Sequence, residues 1–431
     1  MAEGVCLDRK VLMILLIAVS IFCIAAAYYY LGSHKGSSIT CSENSIVYVY
    51  SSQKQKEKAE KFFETFKQLA AREGLNLSSV ETCVIDANSL SRKLRMYPAL
   101  MYRGKVSGLE QITVGEIDGY HIVDYMVSLN VARYAGIEPT FTYEAKAFIV
   151  SGSSPWSRPS VDVSKMKSEL ERLALAKITD VVEVGVEDSP VEVDVAPALI
   201  FESTYNLSEG VQYLEKTGNN YYMLLKAYNV RLAQDYLGAE AAELRKLPAV
   251  LSKDLPSLGS QDAPVRLYIF EDYLCPYCAK FYKDCYDHLV EKAKAGLLQV
   301  VAVDFIVHRE VLDAHALTRC LYAETSNGSL YFQISDELYL KYYEGVSPTL
   351  QEAVTIAAEY VSNDTLARAK ACMLSEREVI YNLTLSAYYK IGIGGTPTLL
   401  FWERDKKVGL LFTGYIPWSQ VEEVVDWLSG D

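Results

Sequence analysis

The sequence predicts an α/β protein of three tandem units that share one order of elements, preceded by one N-terminal transmembrane helix. Three observations carry this reading. A short pattern recurs as YPALMY at 97–102, APALIF at 196–201 and TPTLLF at 396–401, each a proline followed by an apolar run. Upstream of each copy a strand-like run leads into a segment of helical period. Finally, Val11 to Tyr30 carries no charge over about 20 residues, the length that crosses a bilayer as a helix.

Taken in order, residues 1–10 form a short tail and 11–31 the anchor. Arg9 and Lys10 stand just before the apolar run, and Tyr28, Tyr29 and Tyr30 close it as interface residues do. A cleaved signal peptide is the alternative, although its apolar core is normally about 7–15 residues. The anchor reading leaves the tail in the cytoplasm and makes the bulk of the chain extracytoplasmic, a single-pass membrane protein. Five N-x-[ST] sequons, at Asn76, Asn206, Asn327, Asn363 and Asn382, agree with export. Cysteine usage agrees as well. Beyond Cys6 and Cys23 the chain has Cys41, Cys83, Cys275, Cys278, Cys285, Cys320 and Cys372, which suit a compartment where disulfides persist.

The first unit spans 45–138. SIVYVYSS (45–52) reads as a strand, and KEKAEKFFETFKQLAARE then places Phe62, Phe63, Phe66 and Leu69 on one helical face. The second unit spans 139–250, with AKAFIVSGSSPWS (145–157) followed by a helix from Val163 to about Ala176. The third spans 251–431. There VRLYIFEDYLCPYC leads into a helix with Cys278, Phe281, Tyr282, Cys285 and Leu289 on one face. A helical insertion over about 314–391 delays its proline strand. In each unit the proline cannot donate to a ladder, so it belongs at the first residue or the edge of a strand.

Composition narrows the function. A net charge of −13 argues against nucleic acid as a partner, because phosphate recognition needs clustered Lys and Arg. Five histidines against 32 tyrosines leave little from which to build a histidine-rich metal site. The reading calls for no metal and no cofactor.

Chemistry concentrates at Cys275-Pro276-Tyr277-Cys278. By spacing alone, a C-x-x-C is a structural bridge, half of a zinc site or a redox pair. The zinc reading lacks its other half, since neither a second C-x-x-C nor a histidine pair completes it. Two longer stretches add context: LGSQDAPVRLYIFEDYLCPYCAKFY (258–282) and GIGGTPTLLF (392–401). Together they resemble the DsbA-like branch of the thioredoxin superfamily, in the D-A-P-V lead, the D-Y-x-C-P-x-C centre and the G-T-P-T proline. The resemblance covers about 255–431. The first two units resemble thioredoxin domains in outline only, strung together as in protein disulfide isomerases. It implies tandem thioredoxin-like domains, the last with a DsbA-type helical insertion. It also implies thiol–disulfide exchange at Cys275 and Cys278 and a cis bond between Thr396 and Pro397.

Physical chemistry assigns roles within that resemblance. A sulfur at a helix N-terminus meets unpaired N–H groups and the positive end of the dipole, which stabilise a thiolate. Pro276 suits the first turn, where its missing N–H costs nothing. Cys275 is then the exposed nucleophile, and Cys278, turned inward, resolves the mixed disulfide. Thr396 and Pro397 leave a backbone edge for an extended client. Pro276, Tyr277, Glu271 and Asp272 support the centre. For the two acids, both proton transfer and a plain exposed position at a strand end remain open. Cys41 with Cys83 and Cys320 with Cys372 are candidate structural disulfides, and Cys285 is a small core residue. SPWS at Ser154–Ser157 holds serine where the cysteines would stand, and is either a redox-dead site or a polar turn. The first unit has SSQK there, with nothing reactive.

The function expected is that of a membrane-anchored, extracytoplasmic thiol–disulfide oxidoreductase that forms disulfides in exported proteins. Its partners are unfolded or reduced exported proteins, with a quinone-linked membrane oxidase for reoxidation. A disulfide isomerase or reductase is the alternative within enzymes. A non-catalytic client-binding or adhesion protein is the alternative from another class.

Overall fold

The computed structural model describes residues 41–252 and 255–430. The anticipated tail and anchor, residues 1–10 and 11–31, lie outside them. Among the described residues, no helix is long and apolar enough to cross a membrane. The chain divides into two compact units. One runs to Tyr143 and takes in Leu175–Lys177; the other comprises Glu144–Ala174 and the chain from Ile178 onward. Both mix sheet and helix, so the protein is α/β.

The first unit contains β1 (Ser45–Tyr50), α1 (Gln53–Lys56), α2 (Ala59–Arg72), β2 (Glu81–Asp86), β3 (Met96–Tyr97), β4 (Ala99–Arg103), β5 (Thr113–Ile117), β6 (Tyr120–Val123), α3 (Tyr125–Ala135) and β7 (Thr140–Phe141). Its sheet runs β2-β1-β4-β6-β5, with β1 parallel to β2 and antiparallel to β4. The apolar face of α2 buries Phe62, Phe63 and Phe66, and Tyr48 meets Phe62 edge-on at 4.8 Å between ring centres. Each such burial is worth about 1.5–3 kcal/mol. A disulfide joins Cys41 to Cys83 on β2, with 5.8 Å between Cα atoms. Short β3 ends at the cis Tyr97–Pro98 bond and pairs antiparallel with β7.

The second unit opens with β8 (Glu144–Ser151), α4 (Lys167–Ala174), β9 (Lys177–Gly185), β10 (Val195–Ala196), β11 (Ala198–Glu202), β12 (Leu214–Lys216), β13 (Tyr221–Leu224) and α5 (Lys226–Asp235). These make a sheet ordered β12-β13-β11-β8-β9. The helix anticipated from Val163 begins as a 3-10 turn, Val163–Met166, and is α-helical only over Lys167–Ala174. Leu175 at φ 46° then turns the chain out of the helix, which is why it stops short of Ala176.

The same unit continues with β14 (Ala242–Leu244), β15 (Ser257–Leu258), β16 (Val265–Glu271), α6 (Pro276–Lys294) and β17 (Leu298–Asp304). Four helices follow: α7 (Leu312–Thr325), α8 (Gly328–Tyr343), α9 (Leu350–Tyr360) and α10 (Asn363–Ser386). The chain then returns as β18 (Thr398–Glu403), β19 (Val408–Thr413) and α11 (Trp418–Ser429). The sheet order is β10-β14-β19-β18-β16-β17-β15. β16 is parallel to β17 and antiparallel to β18, and both its faces are covered. One face, with Leu267 and Ile269, packs against α6 and the inserted helices; the other, with Tyr268 and Phe270, packs against Val195, Val230 and Leu244. A disulfide joins Cys320 on α7 to Cys372 on α10, with 6.0 Å between Cα atoms.

Candidate active site

β16 ends at Glu271, Asp272 follows it, and three residues later Cys275 becomes the N-cap of α6 with Pro276 in its first turn. The backbone N–H groups of Cys278 and Ala279 both donate to the Cys275 carbonyl at 3.1 Å. The apolar face of α6 buries Cys278, Phe281, Tyr282, Cys285 and Leu289. Cys275, Cys278 and Cys285 are free thiols. The cis Thr396–Pro397 bond lies before β18, and the Thr396 carbonyl accepts a hydrogen bond from Cys275 Sγ at 3.1 Å. Pairing of β18 with β16 makes this meeting possible across the length of the helical insertion. Cys275 is thus less open than anticipated, at 5% exposure, because the Thr396 loop lies against its sulfur. Tyr277 is the exposed member of the turn, at 61%.

The two thiols are driven apart electrostatically. Hydrogen bonding from Cys278 lowers the Cys275 pKa to about 6, helped by the Thr396 side chain and by the N–H groups of Cys278 and Tyr277, against the opposing effect of burial. Burial raises Cys278 well above the ordinary thiol range, and its hydrogen bond to the Cys275 sulfur adds to this. Cys285 is pushed up to about 12 by burial and is an inert core residue.

Glu271 and Asp272 are fully buried, not exposed at a strand end. Burial raises the Glu271 pKa to about 8, partly offset by the Tyr282 hydroxyl, which donates to Oε2 at 2.6 Å. Asp272 accepts from the N–H groups of Leu274, Val307 and His308 at 2.7–2.8 Å. It therefore ties the cysteine loop to the chain leaving β17.

A buried group of residues not anticipated from the sequence supports this loop. His315 Nε2 accepts from the Tyr273 N–H at 3.0 Å, and its Nδ1 side meets Asp304 at 2.6 Å. Arg319 donates to Asp304 at 3.1 Å and to Glu376 at 3.0 Å. Burial works to raise Asp304, but His315 and Arg319 together hold it below its ordinary value. The available signal was the spacing of His315 and Arg319, one helical turn apart in AHALTR. Their partner on β17 appears only in three dimensions.

In the earlier part of the same unit, Ser154 caps a 3-10 turn that begins with Pro155, and its hydroxyl lies 2.6 Å from that of Ser157. Both serines are fully buried. SPWS thus has the layout of CPYC, a capping residue followed by proline, with oxygen in place of sulfur.

Residues 252–408 match the protein family described as thioredoxin. No curated protein matches the chain. Among solved structures, alpha-DsbA1 from Wolbachia pipientis is 21% identical, with 43% of this chain and 94% of that one covered and a TM-score of 0.36. The thiol-disulfide exchange protein alpha-DsbA2 from the same organism is 18% identical, with coverage of 42% and 89% and a TM-score of 0.35. Oxidised BdbD from Bacillus subtilis is 19% identical, with coverage of 43% and 97% and a TM-score of 0.34.

Proposed function

We propose that the protein is a thiol–disulfide oxidoreductase working through Cys275 and Cys278, and that it forms disulfides in exported proteins. The observation that carries this is the split between the thiols, one lowered to about 6 at a helix start and its neighbour raised by burial. A stabilised Cys275 thiolate favours the reduced enzyme and is a good leaving group, which together make a strong oxidant. A client thiolate attacks Cys275 in the Cys275–Cys278 disulfide, and Cys278 leaves with the bonding electron pair. A second client thiolate attacks the client sulfur of the mixed disulfide and releases the Cys275 thiolate. The client gains a disulfide and loses two electrons, which the enzyme keeps as a dithiol.

Cys278 leaves from a buried site where its charge is costly, so it needs a proton. Glu271 is a suitable donor, since it is a buried acid still mostly protonated at neutral pH and its charge is felt at Cys278. Thr396 offers the backbone edge against which a client strand is held near the sulfur. The charge-free run at 11–30 supports membrane anchoring with the catalytic domain outside, and reoxidation then falls to a quinone-linked membrane protein.

The test is the reduction potential of the Cys275–Cys278 pair in the full chain, with the rate at which it oxidises a reduced, unfolded substrate. The oxidase reading expects a potential well above that of thioredoxin. A value near about −270 mV would make the protein a reductase instead.

A further inference from the structure

In both earlier units, the two residues before the cis-proline already have a strand partner from the same chain. Met96 and Tyr97 pair with Phe141 and Thr140. Val195 and Ala196 pair with Leu244 and Glu243. In the catalytic domain the corresponding Gly395 and Thr396 form a bend and, among the described residues, belong to no ladder.

The middle site goes further, because β14 brings a side chain into it. The fully buried Glu243 carboxylate accepts from the N–H groups of Ser153 at 2.7 Å and Ser154 at 3.0 Å, and from the Ser157 hydroxyl at 2.9 Å. Arg245 at 3.3 Å balances its charge. A Cβ on Gly152 would collide with Ser157 Oγ and Glu243, so the fit leaves no spare room. Glu243 thus takes up the N–H groups that lead into the turn, of Ser153 and Ser154, and the hydroxyl of Ser157, which stands where Cys278 stands in CPYC. The first unit reverses the direction of reach. Gln55, at its own helix start, donates to the Tyr97 carbonyl at 3.0 Å and to Glu138 O and Thr140 Oγ1 at 3.3 Å.

We propose that the middle unit's serine site is an intramolecular strand receptor. It binds this chain's own segment 242–244 as a client would be bound, with the Glu243 carboxylate seated on the serine turn. It thereby joins the middle unit to the catalytic domain and is closed to clients. The other edge of β14 pairs with β19, so one strand completes both attachments. Trp156, between the two serines, packs edge-on against Phe412 and Trp427 of the catalytic domain at 6.3 and 5.8 Å. The assignment of the pre-proline edge to clients rests on the function proposed above; the receptor contact itself does not.

Amide hydrogen exchange on the full chain tests the receptor separately from catalysis. The wild type should protect Ala242–Leu244 about as well as β16. Glu243→Ala should speed exchange there and at Ser153–Ser157 by at least about tenfold, with β16 unchanged. Unprotected 242–244 amides in the wild type overturn the proposal even if the variant fails to fold, and so does a Glu243→Ala variant that exchanges like the wild type. Photo-crosslinking with a reduced unfolded peptide tests closure. Crosslinks should fall near Thr396, and crosslinks at Val195–Pro197 in the wild type overturn it. A peptide that crosslinks nowhere, with 242–244 protected, counts against the client edge and leaves the receptor standing.

Discussion

Cys275-Pro276-Tyr277-Cys278 and Ser154-Pro155-Trp156-Ser157 each follow a strand, and each begins a helical turn with a proline. They differ in what faces the turn. Tyr277 is 61% exposed and Trp156 only 7%. The edge opposite Cys275 is a bend outside any ladder, whereas the edge opposite Ser154 is paired. One scaffold therefore yields a reactive centre when the turn holds sulfur beside a free edge, and an internal joint when it holds oxygen beside an occupied one. The substitution of two atoms accounts for the redox difference. The occupied edge accounts for the difference in accessibility.

The sharpest break between the two sites is chemical. Cys275→Ser should remove substrate oxidation to background, while the Ser154→Ala, Ser157→Ala double variant should retain the wild-type rate constant. Exchange that survives Cys275→Ser would place the chemistry elsewhere. The next effect is on folding. Trp156→Ala empties a buried aromatic site against Phe412 and Trp427, and should destabilise the protein by about 3–5 kcal/mol in denaturant titration.

Glu271 gives a pH signature that the middle site lacks. Its folded pKa is raised to about 8 from an ordinary 4.5. Between those values the unfolded chain loses the proton that the folded protein keeps, so stability from this group falls as pH rises and levels off above about 8. Glu271→Gln cannot ionise and should be stabilised relative to wild type by about 4 kcal/mol at pH 8 compared with pH 4.5. An unchanged difference between the two proteins across that range would mean that Glu271 is ionised in the fold.

Alkylation of Cys275 should follow its thiolate. The rate should be level above pH 7 and fall about tenfold per unit below pH 6, while Cys278 stays unreactive throughout. An inflection near the ordinary thiol value would remove the basis of the oxidase reading. The smallest effect expected is that of Tyr277→Ala, within about 0.5 kcal/mol of wild-type stability, in contrast with Trp156→Ala.

By itself the sequence determines the elements whose signals are local. The C-P-x-C turn, the three proline strands and the apolar face of α6 all depend on residues close together or on a recurring period. The path from Cys275 to Thr396 was legible only through a family resemblance, since the helical insertion separates them. The tertiary structure decided which polar groups are buried. Glu271 and Asp272 read as acids at a strand end, but packing of β16 between β17 and β18 under the inserted helices removes them from water. Asp304 finds His315 and Arg319 only when α7 lies over β17. The segment Ala242–Leu244 lacks the β-branched and aromatic residues that mark a strand, and becomes one because edges on both sides need partners. Local pattern specifies where a strand or a turn begins; long-range pairing specifies whether its edge is left open, and that difference separates the C-terminal domain from its neighbour.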